Sequence, residues 1–318
     1  MYNINKNLNK FVFVGEICHV RDNPWNKERV RQWLKESGGK LLQNEQSMSK
    51  EIATILSGSN FNLIQAYFFI LKKNKLWNTL NKEIGVIKAN KFRKFFENFT
   101  QRFDILWEQK KLRLLKIKNY LNSQSKKIES ILAIINRLSD IKKEIAYFKQ
   151  IPVHLVISSK RKKDVIGWFS ILDNKTDLVL ECSGVLIKNY TFLNMILLHE
   201  YFHLALRTNS EIKNQIENIS KKNQKMLSVL SKDITPSQIL EELLISSFVP
   251  EGYFATKYFN KKIKPVNSVK RKNGIVSFVS ARQFCAYKLK NIAKKYINTK
   301  KSIDKKYLSS LIDVIKNR

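Results

Sequence analysis

The sequence predicts an α+β protein, mainly helical, with a small antiparallel or mixed sheet. Three observations carry that expectation. Only nine Gly and five Pro occur in 318 residues, too few for a turn-dense all-β chain. Apolar residues recur at helical spacing from about Ser47 to Tyr147. At Ile151-Pro152 the texture changes, and short strand-like runs replace the helical stripes.

Taken in order, residues 1–24 read as irregular with a short strand at Phe11–Val14. Pro24 precedes a helix at Asn26–Lys35, which Ser37-Gly38-Gly39 ends. Ile52, Ile55 and Leu56 form one apolar stripe, and Phe92, Phe95, Phe96, Phe99, Phe103 and Leu106 a second. Leu112, Leu115, Leu121, Ile128, Leu132, Ile135 and Leu138 continue the spacing. No strict heptad persists, so the stripes predict core packing and not a coiled coil. Val153–Ser158, Val165–Leu172 and Leu178–Cys182 read as strands, the last two joined as a hairpin through Asp173-Asn174-Lys175. Helices follow at Thr191–Arg207 and Glu211–Leu230, and a third opens at Thr235-Pro236, with Thr at the cap and Pro in the first turn, and stops before Pro250. Lys261–Gly274 reads as a basic loop, and Ala281–Tyr296 and Ile303–Ile315 as the last helices. The expected division is a mainly helical region over 1–150 followed by a second domain over 151–318.

Composition narrows the function classes. Hydrophobic residues at 43% and aromatics at 11% exclude global disorder, despite a formal charge of +33. The three cysteines, Cys18, Cys182 and Cys285, lie far apart and form no C-x-x-C. They predict inert buried thiols in a reducing, cytoplasmic compartment, not a disulfide framework or a thiolate zinc site. Phe11–Val14 is too short for a signal-peptide core, and the apolar stretch Met195–Leu206 holds two His and a Glu, so no membrane partner is expected. The basic residues are densest at Lys160–Lys163, Lys261–Lys272 and Lys288–Lys306. Such a field would attract nucleic acid or acidic proteins without sequence preference, but no nucleic-acid motif accompanies it. A lysine-biased solvated surface is the simpler reading. His154 and His19 read as isolated structural histidines.

Chemistry concentrates in T-F-L-N-M-I-L-L-H-E-Y-F-H-L-A-L, Thr191 to Leu206. His199 and His203 are four apart, so a helix stacks both imidazoles on one face, the spacing a tetrahedral zinc ion needs. Glu200 projects beside them, close enough to take a proton from a zinc-bound water without being a ligand. The other side chains from Met195 to Leu206 are apolar nearly all round, so the helix must be buried. Burying two imidazoles and a carboxylate there is costly unless they are paired or bound to metal.

With its uncharged flanks and no proline, I-L-L-H-E-Y-F-H-L-A resembles the active helix of the zincin metallopeptidases. The resemblance covers roughly 151–259 and implies a zincin-like catalytic domain, Zn2+ as cofactor and a protein or peptide substrate. It also implies an upstream edge strand that binds substrate backbone, for which Leu178–Cys182 is the nearest counterpart. The metzincin pattern is excluded, since Leu206 and Asn209 stand where it requires Gly and His. A gluzincin-like Glu on a later helix remains, and Glu241 and Glu242 are the two choices. The apolar face of that helix favours Glu241. Glu242 is preferred because in similar peptidases the residue four after the ligand is polar and steadies a zinc-bound His, and Ser246 holds that place. Tyr253, after the Pro250-Glu251-Gly252 turn, could donate a hydrogen bond to a tetrahedral oxyanion, as Tyr or His does in similar peptidases, with simple packing as the plainer reading.

The expected function is therefore a zinc-dependent peptidase with Glu200 as general base. Two alternatives stay open. One is a regulatory protease that cleaves a single partner such as a repressor; the other is an inactive zincin scaffold that binds nucleic acid through its basic surface.

Overall fold

A computed structural model describes residues 2–18, 26–57, 64, 67–68, 71, 73–141, 150–157, 165–172, 175–182, 189–232, 234–263, 265–272 and 275–318. His19, Lys160–Lys163 and the Asp173-Asn174 turn lie outside them. The described chain is mostly helical with a small mixed sheet, an α+β architecture. It forms two compact units, Met1–Ser123 with Ile151–Tyr190 and Gln124–Gln150 with Thr191–Arg318. The expected second domain at 151–318 thus contributes residues to both units.

The first unit holds β1 (Tyr2–Asn3), α1 (Lys6–Ile17), α2 (Asn26–Glu36), α3 (Gln43–Ser57), α4 (Lys73–Ile84), α5 (Val86–Asn98) and α6 (Thr100–Ser123). It also holds β2 (Val153–Val156), β3 (Ile166–Leu172) and β4 (Lys175–Glu181). Phe11–Val14, expected as a strand, lies inside α1. Asn5 caps that helix, accepting from Asn7 and Leu8 backbone N–H at 2.9 and 3.2 Å. Every residue from Leu8 to Ile17 is buried, so packing on all sides overrides the β-propensity of the F-V-F-V run. Phe11 stacks on Phe68 at 4.3 Å between ring centroids, and Phe13 meets Trp33 at 5.3 Å. The glycine break after α2 holds as expected. Gly38 and Gly39 adopt φ of +104° and +93°, and Arg102 Nη1 donates to the Gly39 carbonyl at 3.0 Å.

The sheet order is β1-β2-β4-β3, with β1 and β4 both parallel to β2, and β3 antiparallel to β4. The expected hairpin forms. The expected edge-strand role of Leu178–Cys182 does not stand. The strand covering those residues, β4, is internal, and its backbone groups pair with β2 on one side and β3 on the other. It therefore has no free ladder to offer a substrate. His154 is buried on β2 with Nε2 2.9 Å from Asp177 Oδ1, a histidine paired inside the sheet and part of no metal-ligand set among the described residues.

The second unit comprises α7 (Ser125–Leu138), α8 (Tyr190–Thr208) from Thr191 onward, α9 (Ser210–Lys222), α10 (Gln224–Ser228) and α11 (Pro236–Ser246). After these come α12 (Tyr253–Phe259), the short pair β5 (Arg271–Lys272) and β6 (Ile275–Val276), α13 (Phe278–Asn298) and α14 (Lys305–Lys316). The helix expected over Glu211–Leu230 is broken at Asn223. α11 starts as expected, with a Thr235–Gln238 capping box and Pro236 in the first turn. Phe248 stacks on Tyr307 at 5.5 Å, and Ser247 Oγ lies 2.6 Å from the Tyr307 hydroxyl, which anchors the end of α11 against α14. All three cysteines are free and buried, and burial pushes their thiols up, Cys285 to about 12. Among the described residues no helix is long and apolar enough to cross a membrane.

Candidate metal centre

The whole site lies in the second unit. α8 is apolar nearly all round and buried, and His199, Glu200 and His203 are buried with it. The two imidazoles turn their Nε2 atoms toward each other at 3.0 Å. Glu242 arrives from α11, with Oε1 3.1 Å from His203 Nε2 and Oε2 3.4 Å from His199 Nε2. The donor atoms of His199, His203 and Glu242 all lie within 4.8 Å of one another.

The opposite ring nitrogens explain which tautomer each histidine takes. His199 Nδ1 lies 3.2 Å from the Val249 carbonyl, and His203 Nδ1 2.6 Å from Glu241 Oε1. Both are acceptors, so each Nδ1 carries the proton and each Nε2 presents a lone pair to the centre. When both rings are neutral, two lone-pair nitrogens and a carboxylate converge on one point. Glu242 Oε2 is buried and makes no hydrogen bond of good geometry among the described residues. Such a cluster could hold a cation, and His₂Glu is a common zinc ligand set. The residues present fit a divalent metal.

No protein-family model, characterised protein or solved structure matches the chain.

The case for a metal centre therefore rests on donor geometry. Burial alone lowers the His203 pKa, but hydrogen bonds to Glu241 and Glu242 outweigh it and raise the pKa to about 9. Burial pushes Glu242 up, yet the two histidines facing its oxygens hold it well below the ordinary carboxylate value. Glu241 is lowered in the same way by His203 and Arg207. The proton held by His203 supplies the positive charge that both glutamates face. Glu200 behaves oppositely. Burial raises its pKa, and the nearby His199 and His203 offset this only partly, which leaves a carboxylate that is a stronger base than usual.

The structure brings His199, His203 and Glu242 together and keeps Glu200 beside them. Tyr253 opens α12 with its ring 5.8 Å from Lys257 Nζ. Among the described residues its hydroxyl makes no hydrogen bond to the cluster. The reason given for Glu242 is corrected. Ser246 does not reach a histidine; its Oγ accepts from Arg282 Nε at 2.7 Å. Glu241, the rejected ligand, does that work for His203, and Arg207 Nε holds Glu241 Oε1 at 3.0 Å. The acidic pair on α11 was the only sequence signal for this partner. Arg207 sits four residues after His203 on the same helix face, a spacing that puts it within reach of the same carboxylate. The Val249 carbonyl and Arg282 left no trace in the sequence.

The Val249 carbonyl depends on a glycine. A Cβ on Gly252 would overlap the Ser247 carbonyl and crowd the Phe248 nitrogen. The chain folds back on itself here, with Tyr253 N–H donating to Ser247 O at 3.2 Å and Phe254 N–H to Phe248 O at 2.9 Å. Gly252→Ala is expected to destabilise the protein by about 1–3 kcal/mol through overpacking. Chemical denaturation checks this; an unchanged midpoint would show that the turn relaxes freely.

Proposed function

We propose that the chain is a zinc-dependent peptidase. The observation that carries this reading is the convergence of His199, His203 and Glu242 from two helices, with Glu200 buried on the same helix as the histidines and within reach of their charges. A zinc ion held there supplies a Lewis acid that acidifies water and polarises a carbonyl. Glu200, raised by burial, accepts the proton of the attacking water and passes it to the leaving amine. The apolar side chains of α8 around it, among them Leu197 and Leu204, keep bulk water from Glu200 and preserve its basicity. The two Nδ1 hydrogen bonds hold the imidazoles in the tautomer that ligates.

Purified protein should carry one equivalent of zinc and cleave an unstructured substrate such as casein. A chelator should stop cleavage, and added zinc should restore it. Metal-free protein that stays inactive after zinc addition would reject the peptidase reading. Protein that fails to take up zinc at all would reject the metal centre as well.

A further inference from the structure

Arg282 projects from α13 into the support of the metal centre. Its Nε donates to Ser246 Oγ at 2.7 Å, its Nη2 to Glu251 Oε2 at 3.2 Å, and its Nη1 lies 3.6 Å from Glu242 Oε2. The three acceptors belong to different parts of the site. Glu242 is a candidate ligand. Ser246 ends α11, the helix that carries Glu242. Glu251 lies in the turn whose Val249 carbonyl orients His199, and Lys261 Nζ braces the same turn by donating to Pro250 O at 2.9 Å. One guanidinium therefore touches the supports of two of the three ligands.

We infer that Arg282 is a positioning residue of the metal centre: it restrains Oε2 of Glu242 and the Val249–Gly252 turn together, and so sets metal affinity without coordinating. The inference rests on the metal-binding part of the proposed function. Two adjacent glutamates each have an arginine, Arg207 on Glu241 and Arg282 on Glu242, at 3.0 and 3.6 Å. The first pair aims a ligand histidine, and the second aims the ligand carboxylate itself. Glu242 Oε2 is buried and makes no hydrogen bond of good geometry among the described residues; beyond His199 Nε2 at 3.4 Å, the Arg282 guanidinium at 3.6 Å is the group that restrains it. The planar fork is what the task needs. It offers donors in several fixed directions, whereas a lysine ammonium is a single point on a flexible stem. A cation beside a divalent metal also repels it, and the sign of the net effect is therefore informative. Glu251 offsets the guanidinium charge at 3.2 Å, which leaves the orienting effect dominant.

The test is zinc affinity, measured by competition with a fluorescent chelator, in the wild type, Arg282→Met, Arg282→Lys and Glu251→Gln. Thermal melting of each metal-free protein is recorded in parallel. Arg282→Met is expected to weaken zinc binding about 10–100-fold, beyond any change in metal-free melting. Arg282→Lys should recover only part of this. Glu251→Gln, which keeps the arginine but removes the charge that holds it, should weaken binding in the same direction. Unchanged or tighter zinc binding in Arg282→Met would overturn the inference while leaving the metal centre standing. A loss of metal-free stability with no separate change in affinity would also overturn it, by making Arg282 purely structural. A wild type that takes up no zinc would overturn the metal centre and this inference together.

Discussion

Glu200→Gln is expected to lose hydrolysis by about 10²–10⁴-fold while keeping its zinc. Glutamine preserves the shape of the side chain in its buried place on α8 but cannot accept a proton from the attacking water. Metal content and casein cleavage, measured on the same preparation, separate the two effects. Retained activity would remove Glu200 as the base, and lost zinc would make it structural. The pH profile of the wild type supplies a second reading. Glu200 must be ionised to act, so cleavage should fall away on the acid side as its carboxylate takes up a proton. The same variant is a substrate trap. A protease dedicated to one partner should retain one protein in a pull-down, and a general peptidase many.

The second large effect separates the two glutamates of α11. Glu242→Ala should leave the protein without stoichiometric zinc, since it removes one of three converging donors. Glu241→Ala should stay loaded at saturating zinc and bind about 10–100-fold more weakly, because it only frees the His203 ring from its 2.6 Å partner. Zinc titration of both variants decides. If Glu241→Ala empties the site and Glu242→Ala remains full, the ligand assignment is wrong.

The legibility of the fold followed how local each signal was. The α11 cap was readable because Thr235, Pro236 and Gln238 act within one turn. The β3–β4 hairpin was readable for the same reason. α1 was misread because its residues favour strand in isolation, and only burial on every side makes them helical. The position of β4 inside the sheet was also beyond the sequence. Its parallel partner β2 is some twenty residues upstream, and β1 lies at the far N-terminus.

The candidate site divides along the same line. His199, Glu200 and His203 were determined by the sequence alone, because a spacing of four on a helix places two side chains on one face whatever surrounds it. Choosing between Glu241 and Glu242 required the tertiary structure. The two differ by one residue and about 100° of helix rotation, so the crossing of α8 and α11 decides which carboxylate meets Nε2 and which meets Nδ1. The preferred residue proved to be the one beside the Nε2 atoms, but the argument from Ser246 did not hold, since that hydroxyl serves Arg282. Arg282 and the Val249 carbonyl are the extreme case. Neither belongs to a motif, and each reaches the centre only because α13 and the Val249–Gly252 turn pack against α11 and α8.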